Sequence, residues 1–357
     1  VLALWVTIGH CDHIFPLFAG MDVNTPFGRL VTHAWSAVFF GNPAVIAFFV
    51  ISGFCIHLPY QGREPLPVGR YYLRRYVRIL IPVAGALLVY SFFGSKLQFW
   101  GAHSILWASP LWSLACEEIY YAAYPLLRLL RNRIGWKYLL PPVFVLGALT
   151  SATNLQATSF QSFGPFGTSL ILLPAWLLGS YLAEQSGSLP AFTSVARIWA
   201  WRVAILVASG AIEFLHFKTV VHFPQTMVWF GVLAYFWIKN EIAYSKHKTA
   251  NPRLVAAGAW SYSLYLVHTQ GMAAFWKLPI PNLGYFFSWL GPLLGSLASA
   301  YSFYLLVERP SHRLARRISA TPRPIFGNRV ARPAPIPAGA VFHAGITATS
   351  SRTPQSF

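Results

Sequence analysis

The chain has 357 residues, 55% of them hydrophobic and only 10% charged, with a net charge of +18. Soluble domains carry about 25% charged residues, so this composition excludes an ordinary soluble domain and points to a polytopic membrane protein. The basic residues sit in the gaps between apolar runs, which fits positive-inside topology and argues against a nucleic-acid-binding surface.

A span needs about 20 mostly apolar residues. Ten are predicted in chain order: 1–18, 41–58, 79–95, 111–130, 139–156, 167–184, 199–217, 223–240, 255–275 and 285–307. The third could extend to Trp100, and the ninth carries polar residues. The expected fold class is all-α, a membrane helix bundle of about ten transmembrane helices. The chain begins at Val1 without an initiator Met, so further N-terminal residues are expected to precede it. Residues 1–18 do not read as a signal peptide: no basic segment leads them, and His10, Asp12 and His13 interrupt the run. Residues 19–40 form an outer loop of mixed character, whose His33 and Trp35 either lie at the membrane interface, the preferred reading, or line a vestibule. The three cysteines, Cys11, Cys55 and Cys116, lie inside apolar runs without metal or disulfide spacing and are expected to be buried thiols.

With the N-terminus placed in the cytoplasm, only Arg29, Lys96, Lys218 and Lys277 of the 27 Lys and Arg residues fall outside. That asymmetry predicts an even number of spans and cytoplasmic N- and C-termini. After Pro310 the composition turns to Pro, Arg, Ala and Ser without acids. A membrane domain over 1–310 and a disordered, basic cytoplasmic tail over 311–357 are therefore expected, the tail touching anionic lipid.

The most informative stretch is Pro110–Pro125, a membrane helix that carries adjacent Glu117 and Glu118. One acid near the centre of a spanning helix costs about 2.5–3.5 kcal/mol on insertion scales, so a helix keeping two of them calls for a protein interior that uses them. Ser113, Glu117 and Tyr121 recur at i, i+4, i+8 and form one polar stripe. The alternative is a pair of acids that only bind arginines structurally. His10 lies mid-span, with His13 on much the same face; a neutral buried imidazole can act as a general base, although a lone buried His is more often a satisfied core residue. Ser52-Gly53 inside an apolar run allows a close approach of either a helix or a ligand. Arg74 and Arg75 stand four and three residues before Arg78, and three guanidiniums on one face suit phosphate groups or lipid headgroups, or simply anchor the span. His268 is a second histidine deep in a span. Glu308 is expected to pair with a basic residue. No P-loop, dinucleotide glycine motif or fixed-period repeat is present.

Five motifs occur in order: Phe-Phe-Val-Ile-Ser-Gly-Phe at 48–54, Arg-Arg-x-x-Arg-Ile-x-x-Pro at 74–82, Trp-Ser-Leu-x-x-Glu-Glu-x-x-Tyr at 112–121, Ser-x-Ser-Leu-Tyr-Leu-x-His at 261–268 and Glu-Arg-Pro at 308–310. Together they resemble the acyltransferase-3 family of integral membrane acyltransferases, over about residues 1–315, in its stand-alone form. In that family's first helix an Arg precedes a His by eleven positions; His10 matches the His, and the Arg would fall before Val1. The resemblance implies transfer of an acyl group, often acetyl, from acyl-CoA to a sugar hydroxyl of a carbohydrate or glycolipid acceptor. Acyl-CoA would be a co-substrate, with no permanently bound cofactor and no metal. The implied location is the inner (plasma) membrane, among membrane lipids and without nucleic acid. It implies His10 and Glu117 as catalytic residues, Glu117 holding His10 or a sugar hydroxyl. Arg74, Arg75, Arg78, Ser52, Gly53 and Tyr121 would hold acyl-CoA, and His13, Glu118 and His268 would meet the acceptor or serve as structural polar groups. Direct transfer and a covalent acyl-histidine remain equally open. The rival reading is a multi-span transporter or proton-coupled permease, which also suits buried acids and histidines.

Overall fold

The computed structural model describes residues 1–14, 16–18, 20–62, 64–93, 111–278 and 284–318. Among these, every regular element is helical. The ten predicted spans correspond to α1 (Leu2–Ile14), α3 (Gly41–His57), α4 (Val68–Phe92), α5 (Trp112–Ile134), α6 (Trp136–Ala152), α7 (Gly164–Gln185), α8 (Val195–Lys218), α9 (Phe223–Ser245), the broken pair α10 (Pro252–Gly258) and α11 (Ser261–Trp276), and α12 (Tyr285–Phe303). Two further helices, α2 (Pro26–Val38) and α13 (Arg309–Ile318), complete the described set. Five segments are by themselves long and apolar enough to cross a membrane: Pro26–Tyr60, Val68–Phe92, Phe160–Gln185, Val195–Lys218 and Tyr285–Ile318. The protein is an all-helical membrane bundle. Its outer helices present large apolar side chains such as Leu88, Trp199, Val207 and Leu306 outward, as a lipid solvent requires.

The centre is α3 packed along α7. Apolar side chains gain little by leaving lipid for protein, so close backbone contact has to hold these helices together. Gly53 and Gly179 provide it: a Cβ on Gly53 would lie 1.8 Å from the Trp176 carbonyl oxygen, and one on Gly179 would lie 1.9 Å from that of Val50. The close approach foreseen at Ser52-Gly53 is thus, at Gly53, that of a helix. Helices α5 and α6 are joined by Gly135 alone, whose φ of 75° turns the chain where a side chain would be strained.

The sequence differs from the structure in three places. The outer loop contains α2, capped by Thr25, whose hydroxyl oxygen accepts the Gly28 N–H at 3.0 Å. Trp35 on α2 packs among Phe18, Phe39 and Trp289 rather than standing free at an interface. The ninth span is broken after Gly258, and the start of α11 is capped from a distance: Glu308 accepts the Ser263 N–H at 3.1 Å and the Ser263 hydroxyl at 2.5 Å. Glu308 therefore serves as a helix cap, and the basic residue it meets is His312, whose Nε2 lies 3.6 Å from its Oε1. Finally, the chain stays helical past Pro310. A wide turn at Tyr304–Glu308 leads into α13, which packs on α4, so the helical domain runs through Ile318. The tail expectation for 319–357 and the assignments to Arg63, Lys96 and Pro110 lie outside the described residues.

Candidate active site

The stripe on α5 forms one wall of a cavity of about 320 Å³. Ser113, Glu117 and Tyr121 all line it, because their spacing stacks them along one face. Helix α3 adds Ser52 and Cys55, α4 adds Arg75 and Arg78, and α11 adds Tyr262 and Tyr265.

One end lies where the arginines of α4 and α13 collect. There Arg78 Nε donates to His312 Nε2 at 3.0 Å, and His312 Nε2 is 3.6 Å from Glu308 Oε1. Deeper in, the Arg75 guanidinium lies over the Tyr121 ring, 3.8 Å from its centroid. The Tyr121 hydroxyl is 2.9 Å from Ser52 Oγ, which also accepts the Trp176 indole N–H at 3.3 Å. Arg75 Nε and the Tyr262 hydroxyl are buried with no hydrogen-bond partner among the described residues. Leaving such groups unpaired costs about 1–3 kcal/mol each, so a polar ligand that satisfied them would recover that energy.

At the far end the Ser113 and Tyr265 hydroxyl oxygens are 2.5 Å apart. The Tyr265 ring centroid is 6.2 Å from that of His268. His268 is fully buried, and its Nε2 is 2.9 Å from His10 Nδ1, the two rings being stacked at 5.0 Å. His268 Nδ1 lies 2.9 Å from the Tyr265 carbonyl oxygen and 3.1 Å from that of Leu264.

Of the predicted residues, Ser52, Arg75, Arg78, Glu117 and Tyr121 share the cavity wall. Arg74 is exposed and does not line the cavity; Arg75 is half-buried, and Arg78, itself exposed, reaches the cavity from its open end. Gly53 is pressed against α7. Glu118 is half-buried and does not line the cavity, its two buried oxygens having no hydrogen-bond partner among the described residues, and His13 is exposed. His10 and His268 are not in the wall either. The expectation of one compartment holding His10 with Glu117 is corrected: Glu117 lines the cavity and His10 does not, and the neighbour of His10 is His268. Cys55 is exposed and lines the cavity, whereas Cys11 and Cys116 are buried as expected.

Residues 1–307 match the family model described as an acyltransferase domain, Acyl_transf_3. The chain belongs to the acyltransferase-3 family. No curated protein and no solved structure matches it. The matched region of this membrane acyltransferase contains every cavity residue named above except Glu308 and His312. His312 was missed because it follows Pro310 in a Pro- and Arg-rich stretch. The one available signal was the run Arg309–Ile318, which alternates basic and apolar residues with a helical period. The hydroxyl of Tyr265 was also missed, since nothing in its local sequence says that it meets Ser113, 152 residues away.

Proposed function

We propose that this acyltransferase moves an acyl group, typically acetyl, from acyl-CoA to a hydroxyl of a carbohydrate or glycolipid acceptor at the inner (plasma) membrane. The observation that carries the reading is the cavity, with cations at one end and a hydroxyl pair beside the His10–His268 pair at the other. In this reading the N- and C-termini and the arginine-rich end face the cytoplasm, where acyl-CoA is made available. Arg75 and Arg78 meet the phosphates of the donor, charge against charge. Ser52, Tyr121 and Tyr262 offer hydroxyls to the polar groups of its arm, and Glu117 accepts a donor N–H or an acceptor hydroxyl. The thioester reaches the far end once Ser113 and Tyr265 part.

There His10 Nε2 takes the proton of the acceptor hydroxyl as the oxygen attacks the thioester carbonyl carbon. The carbon–sulfur bond breaks, CoA leaves as its thiolate, and the proton on His10 passes to that sulfur. The products are the acyl ester and free CoA, and His10 returns to its starting state.

The test uses the one cavity-lining thiol. Protein in liposomes is treated with a membrane-impermeant maleimide at Cys55, with and without acetyl-CoA, and acceptor-dependent CoA release is followed in parallel. Acetyl-CoA should slow labelling, and a glycan acceptor should stimulate release. Labelling indifferent to acetyl-CoA would remove the donor site from this cavity.

A further inference from the structure

The two buried histidines are related by more than proximity, and the hydrogens can be placed by elimination. His268 Nδ1 is within hydrogen-bond distance of two carbonyl oxygens, at 2.9 and 3.1 Å. A carbonyl oxygen only accepts, so the hydrogen is on Nδ1. In a neutral ring, Nε2 then carries a lone pair and no hydrogen. That nitrogen is 2.9 Å from His10 Nδ1, which must therefore be the donor. His10 is left with its hydrogen on Nδ1 and a bare lone pair on Nε2.

We infer that His268 is a positioning residue that holds His10 in the Nδ1–H tautomer and so keeps His10 Nε2 free to accept the acceptor's hydroxyl proton. The inference rests on the acyl-transfer reading for what Nε2 does, and on the geometry alone for which tautomer is present. The same bond serves the step that follows. When His10 has taken a proton on Nε2, its Nδ1–H still points at an acceptor lone pair, and the positive charge is stabilised where it forms. A buried orienting acceptor behind a histidine base is a recurring arrangement; here a neutral imidazole fills the place usually given to a carboxylate.

The surroundings fix His268 as firmly as they fix the hydrogen. The Ser296 hydroxyl donates to the His268 carbonyl oxygen at 2.8 Å. One turn on, a Cβ at Gly271 would lie 2.6 Å from Ser296 Cα, so α11 and α12 are in backbone contact at this level. On the other side Cys11, the neighbour of His10, donates its thiol hydrogen to the Trp289 carbonyl oxygen at 3.2 Å, which ties α1 to α12 as well. Both helices are thus tied to α12, and the His10 ring has a second hydrogen-bond partner in the backbone of Val6, one turn back on α1.

The experiment compares wild type with His268→Gln and His268→Leu in nanodiscs. Gln can present an oxygen to His10 Nδ1–H; Leu cannot. The first readout is the nitrogen NMR signature of 15N-histidine-labelled protein, with His10 assigned by its loss in His10→Gln. Wild-type His10 should show a protonated Nδ1 and a bare Nε2, and His268→Leu should weaken that preference, leaving only the Val6 backbone as a partner of the ring. The second readout is turnover. His268→Leu should lower kcat by about 100-fold, the usual scale of a proton-transfer contribution, with KM for acetyl-CoA unchanged, while His268→Gln recovers most of the loss. A wild-type His10 protonated on Nε2 would overturn the assignment even if His268→Leu failed to fold. Equal kcat in His268→Leu and wild type would overturn the positioning role. A wild-type spectrum as expected in a protein that never transfers acyl groups would leave the tautomer standing and refute the proposed function instead.

Discussion

The hydroxyls of Ser113 and Tyr265 meet at 2.5 Å across the inner end of the cavity, and the carbonyl oxygen of the same Tyr265 is 2.9 Å from His268 Nδ1. One residue therefore lines the cavity with its side chain and orients the histidine pair with its backbone. Removing the hydroxyl of Ser113 leaves that backbone contact in place and, in the proposed reading, loosens the barrier between the cavity and the histidines. A neutral hydrogen bond contributes about 0.5–1.5 kcal/mol, so Ser113→Ala should raise acceptor-independent hydrolysis of acetyl-CoA by about 2- to 10-fold as water reaches the thioester. Release of free CoA without acceptor measures it. Hydrolysis at or below the wild-type rate would show that the pair is not a barrier.

The arginines of α4 separate by direction. Both Arg74 and Arg78 are exposed, but Arg78 lines the cavity and Arg74 does not. Loss of a charge-assisted bond costs about 1.5–3 kcal/mol, so Arg78→Ala should weaken acetyl-CoA binding by about 10- to 100-fold, while Arg74→Ala leaves it within about 2-fold. Isothermal titration or protection of Cys55 would read both. Equal losses in the two variants would mean that the cluster acts as a diffuse positive field and not as a site.

That distinction marks the limit of what local pattern reveals. The stripe of Ser113, Glu117 and Tyr121 was legible because a helical period needs nothing beyond the sequence. The cavity-lining pair on α4 was not: Arg74 and Arg75 precede Arg78 by four and three residues, and both spacings are compatible with one face. The rotation of α4 decides between them, and packing against α13 and α11 sets that rotation. The all-helical membrane bundle and the approximate bounds of its helices followed from hydropathy; five segments are by themselves long and apolar enough to cross a membrane. The break at Gly258 did not show, because its compensation by Glu308 comes from a helix 45 residues further along. Likewise His10 and His268 were each visible as an anomaly within a span, but their pairing joins positions 258 residues apart.

The Ser52-Gly53 pair should divide the same way under mutation. Ser52 faces the cavity, and Ser52→Ala should leave the fold intact while raising KM for acetyl-CoA by a few-fold. Gly53→Ala places a methyl group 1.8 Å from a backbone oxygen that cannot move without α7. Overpacking of this kind costs about 1–3 kcal/mol or more, so that variant should show a lower melting temperature and a smaller folded yield. A Gly53→Ala protein as stable as wild type, with donor binding lost, would put Gly53 back in the binding site.

A separate, partly buried network should carry stability without chemistry. Glu184 accepts from His57 Nε2 at 2.7 Å, from the Trp136 indole N–H at 2.8 Å and from Arg131, while His57 Nδ1 is 3.0 Å from the Tyr124 hydroxyl. One carboxylate thereby ties together α3, α5, α6 and α7. None of these groups lines the cavity. Removing the acid strands a buried imidazole and a half-buried guanidinium; deleting one partner of a fully buried pair costs about 3–5 kcal/mol, which is the upper bound for this half-buried one. Glu184→Ala should therefore unfold at a markedly lower temperature in detergent. Glu184→Gln, which keeps an acceptor oxygen, should lose less. The kcat of the fraction that remains folded should match wild type in both, because the contacts of His10, Glu117 and Arg78 are untouched. A Glu184→Ala enzyme with unchanged stability and a collapsed kcat would instead move this network into the reaction path, as a proton route between the arginine-rich end and the centre of the bundle.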